Sequence, residues 1–273
     1  MKQLVNKLLH KIFRYLRLYF LIAKTSVMSV FIYRANSLIF GITPIIWMLT
    51  SLVFITVIFG GVKEIGGWSF WEIMLLLGIH ELVFLGTWMF FADNLDAFIF
   101  DVRTGAFDRT LVKPANHRFL VSFGAIDFTG IGSLLNTIVI LSLAIPHVDI
   151  KISAVKIVLF LISLFSAYAI TYLLYFSISC LSLFFVNAFT FSDWLLEATD
   201  FDRYPADIYS RGFRRFLFFG LPILFFAYVP TAILLGKIPD YFVGLGLLVI
   251  LWLLIISTFL WRKGLKKYQS ASS

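Results

Sequence analysis

Six long apolar windows run through this chain, and they constrain its fold more than any other feature. Apart from Glu81 and Asp127 they contain no acidic residue, lysine or arginine, and they cover residues 35–62, 73–92, 119–148, 157–192, 216–236 and 241–261. An α-helix needs about 20 apolar residues to cross about 30 Å of hydrocarbon, and every window reaches that length. The pattern predicts an all-α polytopic membrane protein with six transmembrane helices in one bundle, residues 35–261.

The composition agrees with this class. Hydrophobic residues make up 60% of the 273 positions and charged residues 14%, whereas an average soluble domain has about 25% charged residues. The fourth window is too long for one crossing, so we expect its membrane part near residues 158–180 and its Phe-rich end along the interface. Cys180 is the single cysteine, which excludes an intrachain disulfide and a cysteine metal cluster.

Residues 2–20 have the periodicity of an amphipathic helix, with apolar residues on one face and basic residues on the other. The apolar face holds Val5, Leu8, Leu9, Ile12, Leu16 and Tyr19, and the basic face holds Lys7, Lys11, Arg14 and Arg17. Such a helix lies along a membrane surface, so residues 1–34 are predicted to form a cytoplasmic interfacial segment. It either rests on anionic lipid or contacts a partner subunit. No cleavable signal peptide is expected, and the first span acts as the insertion signal.

The basic residues are distributed unevenly between the two sides that six spans define. Both termini then lie on one side with 19 of the 23 lysines and arginines, and the other four are Lys63, Lys151, Lys156 and Lys237. The positive-inside rule places both termini, the tail 262–273 and the loop around Gly105 in the cytoplasm. The net charge of +8 is therefore a topology signal, and no nucleic-acid partner is predicted.

Residues 187–215 are predicted to form a second cytoplasmic loop. Acidic residues alternate there with arginines: Asp193, Glu197, Asp200, Asp202 and Asp207 with Arg203, Arg211, Arg214 and Arg215. They lack the spacing of a calcium-binding loop and have no histidine among them, so a solvated surface is favoured over a metal site.

The loop at residues 101–114 has the sequence DVRTGAFDRTLVKP and lies between the second and third windows. Gly105 interrupts the local helix and Pro114 stops it again. The spacing Gly105, Asp108, Leu111, Lys113, Pro114 resembles the GxxDxxLxKP signature of the DUF990 branch of ABC-2 type transporter permeases.

The resemblance implies that this loop contacts a separate ATP-binding subunit. Arg103, Arg109 and Lys113 would face the partner as cations, and Leu111 would insert as an apolar anchor. Asp108 would cap or pair within the loop, whose ends Gly105 and Pro114 set.

Two further stretches resemble the same family. One is the Arg203, Tyr204, Pro205 sequence, and the other is the tail with Trp261, Gly264, Leu265 and Tyr268. The resemblance implies short re-entrant helices around Pro230, Gly236 and Pro239. The residues alone leave this open, because Pro222 and Pro230 fit an ordinary kinked span equally well.

Three ionisable residues inside the windows are candidates for a translocation path: His80, Glu81 and Asp127. Charges at such depth are costly and usually face a cavity or a partner. Glu81 fits a substrate-path role and a structural pairing equally well, whereas His80 is favoured as a structural residue. Asp127 lies nearer the surface. No catalytic motif and no metal site is predicted.

The leading hypothesis is the permease subunit of an ABC exporter in the inner cell membrane. The chain has no GxxxxGK[ST] phosphate loop, so no cofactor is predicted in it, and ATP and Mg²⁺ would bind a partner. The expected assembly pairs two permeases, identical or homologous, with two copies of an ATP-binding subunit, in contact with membrane lipid. Two rivals remain: a cation- or proton-coupled secondary carrier using Glu81 and Asp127, and a membrane-embedded lipid-modifying enzyme.

Overall fold

Helices make up most of the structure. The computed structural model describes residues 2–32, 34–128, 130–151, 153–185 and 188–268, and within these ranges it contains no β-strand. The α-helices are α1 Lys2–Ile32, α2 Arg34–Phe59, α3 Phe70–Thr87, α4 Asp93–Thr104, α5 Asp108–Leu111, α6 His117–Ser122, α7 Ile131–Ala144, α8 Ala154–Ser179, α9 Phe189–Thr199, α10 Arg211–Arg215, α11 Tyr228–Leu235 and α12 Tyr241–Lys267.

Three stretches in the described part are long and apolar enough to cross a membrane: Phe70–Thr104, Ala154–Leu183 and Tyr241–Lys267. The first joins α3 to α4 through a π-helical turn at Trp88–Ala92. Met48–Phe59 and Gly132–His147 are shorter apolar helices. The all-α membrane fold predicted from the windows is therefore confirmed.

The long helix Phe70–Thr104 has a defined start and end. At its start, Ser69 and Glu72 form a capping box, with Glu72 N 3.4 Å from Ser69 Oγ and Ser69 N 2.7 Å from Glu72 Oε2. At its end, Gly105 takes a left-handed conformation with φ of +78°. These two ends provide fixed reference points, called below the Trp68 end and the Gly105 end of the bundle.

The third window forms two helices instead of one. The chain leaves helical geometry between α6 and α7, where the Asn94 side chain accepts from Ala125 N at 2.7 Å and donates to Ala125 O at 2.8 Å. Gly124 lies so close to the Leu120 carbonyl that a Cβ atom would be 2.7 Å from its oxygen. The prediction of one helix over residues 119–148 is therefore wrong, and Asp127 lies in the connecting loop.

The prediction that residues 187–215 form a solvated loop is also wrong, because part of this segment packs along the bundle. Ser192 Oγ donates to Asp96 Oδ1 at 2.7 Å, near the Gly105 end. Arg203 contacts His80, and Trp68 Nε1 donates to Asp207 Oδ2 at 3.1 Å at the opposite end. Residues 189–208 therefore run along the length of the helix Phe70–Thr104. This segment, made of α9 and two short 3-10 turns, is called the fifth crossing below.

The window 216–236, predicted as the fifth span, forms a hairpin. The segment that leads into the hairpin begins at the Trp68 end, where Arg214 Nη1 lies 3.1 Å from Asp207 Oδ1. It finishes at the same end, where Lys237 Nζ lies 3.0 Å from Glu72 Oε1 and 2.8 Å from Gly67 O. Between these points the Ala227 amide reaches Asp202 inside the bundle.

The prolines explain why the hairpin is not one helix. Pro222 lies outside helical geometry, with ψ of 56°, between the π-helical turn Phe216–Gly220 and the 3-10 turn Ile223–Phe225. Pro230 lies in the first turn of α11, where its missing N–H leaves no intrahelical bond unmade. Pro239 lies in the connection to α12. None of the three kinks a continuous span.

Helix α1 extends beyond the predicted residues 2–20 and packs across the segment 114–126, which contains α6. Arg14 Nη2 donates to Pro114 O at 2.8 Å, and the Tyr15 hydroxyl accepts from Asn116 N at 3.0 Å. The amide of Ile126 donates to Ser26 Oγ at 3.0 Å. Several apolar side chains of α1 stay exposed on another face: Phe13, Leu16 and Phe20.

Candidate functional site: a docking loop and a buried polar centre

The segment 101–114, called the docking loop below after the role proposed for it, turns back sharply at Gly105. Phe107 N donates to Asp101 O at 3.1 Å, and Asp108 N donates to Gly105 O at 3.2 Å. A positive φ of this size is strained for residues with a Cβ atom but not for glycine. The four-residue helix α5 then begins at Asp108. Gly105 therefore sets the direction in which the loop leaves the bundle.

Phe107 holds the loop against the bundle. Its side chain is fully buried and lies edge-on to Phe98 and Tyr268, with ring centroids 5.1 and 5.3 Å away. Trp261 packs against the same ring at 6.4 Å. The side chains of Trp261 and Tyr268 thus pack against the buried side of the loop. The sequence reasoning missed Phe107, although a phenylalanine inside a charged loop was a usable signal.

The outward face of the loop carries cations around one apolar side chain. Arg103, Arg109, Lys113 and Pro114 are exposed, and Val112 is 82% exposed. Leu111, predicted to be the apolar anchor for a partner, instead packs half-buried against the core of its own chain. The most exposed large apolar side chain of this loop is Val112.

A buried carboxylate lies where three parts of the bundle meet. Asp202, on the fifth crossing, is fully buried and accepts hydrogen bonds from Ala227 N at 2.5 Å and Tyr228 N at 3.1 Å. These amides lie at the start of α11, where the helix dipole also favours a negative charge. Asp202 therefore fixes the inner tip of the hairpin to the fifth crossing.

His80 and Arg203 lie beside Asp202, and these three residues with Glu81 are called the polar centre below. Arg203 Nε donates to His80 Nε2 at 3.3 Å and lies 3.0 Å from Asp200 Oδ1. Since arginine only donates, His80 Nε2 is an acceptor, and the imidazole carries its proton on Nδ1. His80 Nδ1 is 3.7 Å from Asp202 Oδ2, too far for a hydrogen bond. His80 thus has structural contacts to the fifth crossing.

Glu81 lies beside this network without joining it. Its side chain is half-buried, and the nearby charges of Arg203 and Asp200 act on it. Among the described residues, no hydrogen bond or ion pair to Glu81 is present.

Asp127 does not join His80 and Glu81. Its backbone amide donates to Met89 O at 2.9 Å, beside the π-helical turn and closer to the Gly105 end. Nine residues of helix separate Met89 from His80, which corresponds to about 13 Å at 1.5 Å per residue. The three ionisable residues predicted for a path therefore form two separate groups.

A second carboxylate closes the hairpin at the Trp68 end. Asp207 accepts from Trp68 Nε1 at 3.1 Å, Arg214 Nη1 at 3.1 Å and the Tyr228 hydroxyl at 3.2 Å. Asp202 and Asp207 thus hold the inner and outer parts of the hairpin. Their pairing could not be predicted, because each partner is distant in the sequence or is a backbone amide.

A comparison with protein families identifies the class of protein to which these features belong. A family model described as an ABC-2 family transporter protein matches residues 45–272, which is most of the chain. This chain belongs to the ABC-2 transporter family. No curated protein and no solved structure gives a significant match.

Membership of the ABC-2 family makes the chain a membrane subunit of an ABC transporter. The matched region begins within α2 and includes the docking loop, the polar centre, the hairpin and α12. ABC-2 membrane subunits generally associate with an ATP-binding subunit. This favours the permease hypothesis over a secondary carrier or a lipid-modifying enzyme.

Proposed function

We propose that this ABC-2 protein is the permease of an ATP-driven exporter and that its docking loop binds a separate ATP-binding subunit. The observation that carries the proposal is the arrangement of this loop. The buried side chain of Phe107 fixes the loop to the bundle, and Val112 is exposed among basic side chains. A central apolar side chain ringed by polar groups is a common interface arrangement. The assembly contains two permeases and two ATP-binding subunits, which hold the ATP and Mg²⁺.

The long helix supports a mechanical role for the loop. The Phe70–Thr104 helix ends at the loop and carries His80 and Glu81 further along its length. A displacement at the loop is therefore transmitted by one helical element to the polar centre, with the π-helical turn at Trp88–Ala92 between them. ATP-dependent closure of the partner subunits would drive this displacement.

The distribution of basic residues supports a cytoplasmic Gly105 end in the inner membrane. With the corrected path of the chain, 15 lysines and arginines belong to α1, the docking-loop segment, the start of α2 and the end of α12. Seven belong to segments at the Trp68 end, and Arg203 lies between. The excess of lysines and arginines at the Gly105 end is smaller than predicted, but it remains. We therefore place both termini in the cytoplasm.

Exposed carboxylates on the fifth crossing support a second permease. Asp193, Glu197 and Asp200 are exposed on the single chain, and the Asp200 side chain is 63% exposed. Charged groups inside a membrane are costly when they face lipid. This face therefore borders a wet path or another permease, as expected for two subunits that enclose a translocation path.

The proposal is tested with the double variant Val112→Ala and Lys113→Glu. Losing a central apolar contact at an interface costs about 2 kcal/mol or more, which is more than tenfold in affinity, and the charge reversal adds to it. We expect the variant to insert normally, while the ATP-binding subunit recovered with the tagged chain falls at least tenfold. Quantitative mass spectrometry of the purified complexes measures this.

The matched control uses the same pair of residue types at the opposite end of the bundle. Val62 and Lys63 are both exposed there. The variant Val62→Ala with Lys63→Glu should keep full recovery of the ATP-binding subunit. Equal recovery with the wild-type chain and the Val112 double variant would show that the loop is only a solvated connector.

A further inference from the structure

Helix α12 has an open face near its Lys267 end. A groove of about 760 Å³ follows this face, and its described lining comes from α12 alone. The lining residues recur every three or four positions and therefore form one stripe along the helix. The opposite face, which contains Leu253, Ser257 and Gly264, is buried. The stripe consists of Leu251, Leu254, Ile255, Thr258, Phe259, Arg262, Lys263 and Lys266.

The first part of the stripe is apolar over nearly the depth of one bilayer leaflet. Leu251, Ile255 and Phe259 are 57, 71 and 58% exposed. The first and last of these lie about 12 Å apart at 1.5 Å per residue, and one leaflet of a bilayer core is about 15 Å deep. Trp261, a residue type common at the headgroup boundary, then packs against Phe107 at the Gly105 end. The apolar stripe therefore spans the leaflet at that end.

Three cations follow the apolar part directly. Arg262, Lys263 and Lys266 are exposed, and none of the described residues that line the groove is acidic. No ion pair to these three cations is present among the described side chains. The Lys263 ammonium lies 5.9 Å from the centroid of the Phe259 ring. Positive charge thus begins where the apolar stripe ends.

A fourth cation lies beside the groove on another helix. Arg118 of α6 donates from Nη2 to Ser257 Oγ at 3.1 Å, and its Nη1 lies 3.5 Å from Thr258 Oγ1. Its guanidinium also lies 4.2 Å from the centroid of the Phe176 ring. These contacts hold Arg118 in place, but they do not neutralise its charge. Arg118 therefore adds to the positive potential at the end of the stripe.

We propose that this face of α12 binds an anionic diacyl phospholipid. The phosphate lies at Arg262, Lys263 and Lys266, and the acyl chains lie along the apolar stripe. Basic side chains near a membrane surface attract anionic headgroups, and arginine is well suited to bind phosphate oxygens. This site goes beyond the proposed function, because the lipid is a bound partner of the permease and not its exported substrate.

The charge of this face favours lipid over a second permease as its occupant. Two permeases in one membrane are related by a two-fold axis along the membrane normal, so a shared face would meet its own copy at the same depth. Arg262, Lys263 and Lys266 would then lie near the same three cations, and like charges repel. The exposed carboxylates of the fifth crossing carry no such conflict with a lipid on α12.

Native mass spectrometry tests the assignment, because one spectrum counts bound lipids and subunits together. The full chain is purified with its bound partners, exchanged into lipid-free detergent, and titrated with phosphatidylglycerol or phosphatidylcholine of identical acyl chains. We expect the wild-type chain to bind phosphatidylglycerol at least tenfold more tightly. Glycerol 1-phosphate, which has a phosphate but no acyl chain, should not displace the lipid.

The triple variant Arg262→Gln, Lys263→Gln, Lys266→Gln removes the cations of the stripe. It should bind phosphatidylglycerol at least tenfold more weakly than the wild-type chain and phosphatidylcholine equally well. Lys263→Arg with Lys266→Arg keeps the charge and should retain the wild-type affinity for both lipids. If the triple variant fails to fold, the lipid preference of the wild-type chain decides the question.

The matched control removes the same charge at the opposite end of the bundle. Lys63→Gln, Lys151→Gln and Arg211→Gln change three exposed cations there and should leave lipid binding unchanged. Equal affinity of the wild-type chain for the two lipids would overturn the assignment, as would displacement by glycerol 1-phosphate or equal weakening by both triple variants. Loss of a subunit from the first triple variant, with lipid binding unchanged, would make this face a protein interface instead.

Discussion

Asp202→Ala is expected to lower the unfolding temperature of the purified chain strongly. The substitution leaves the buried amides of Ala227 and Tyr228 without an acceptor. Each buried N–H without a partner costs about 1–3 kcal/mol, so the pair costs about 2–6 kcal/mol. Asp202→Asn keeps one acceptor oxygen and should have an intermediate effect. Fluorescence-detected size-exclusion chromatography after heating gives the comparison.

Two other carboxylates provide the controls for this experiment. Asp207 also holds the hairpin, but its side chain is 37% exposed, so water replaces the lost partners and Asp207→Ala should cost less. Asp149→Asn changes an exposed carboxylate in the loop before α8 and should have no effect. An Asp202→Ala chain as stable as Asp149→Asn would contradict the role of Asp202 in fixing the hairpin.

Phe107→Ala is expected to loosen the docking loop while the transmembrane bundle stays folded. Truncating a fully buried phenylalanine typically costs about 3–5 kcal/mol, and here the loss falls on a short segment. Trypsin cuts after Arg103 and Arg109 only when the loop opens. We expect at least tenfold faster cleavage in inside-out vesicles and reduced recovery of the ATP-binding subunit.

Phe100→Ala is the matched control, because Phe100 lies on α4 near the same loop but is 55% exposed. Its cleavage rate should equal that of the wild-type chain. Equal rates for Phe107→Ala and Phe100→Ala would mean that the aromatic cluster does not hold the loop.

Hydropathy predicted the all-α membrane class, but it did not predict the path of residues 189–236. An apolar window shows that its residues tolerate hydrocarbon, but it does not show that they form one continuous helix. The window 216–236 is apolar throughout, yet Pro222 interrupts it and the hairpin returns to the end where it began. Residues 189–208 run along the long helix instead.

That polar crossing could not be predicted from residue types. Asp202 and Arg203 belong to a charged stretch that is typical of a solvated loop. Their partners are the amides of Ala227 and Tyr228 and the ring of His80, which only the folded chain brings close. The charge pattern therefore indicated the wrong environment for both residues.

The turn at Gly105 was predicted, but the exposure of the apolar side chains that follow it was not. The GxxDxxLxKP spacing selected Leu111, whereas the turn at Gly105 directs Leu111 inward and leaves Val112 exposed. A four-residue helix rotates by about 100° per residue, so adjacent side chains have different surroundings. Spacing alone could not distinguish the two.

Site-specific photocrosslinking tests the docking of an ATP-binding subunit most directly. A photoreactive residue is placed at Val112 or at Gly212, which is exposed and belongs to the stretch first predicted to be cytoplasmic. We predict a crosslink to an ATP-binding protein from Val112 and none from Gly212, which lies near the Trp68 end. A crosslink from Gly212 but not from Val112 would contradict both the docking loop and the path of the fifth crossing.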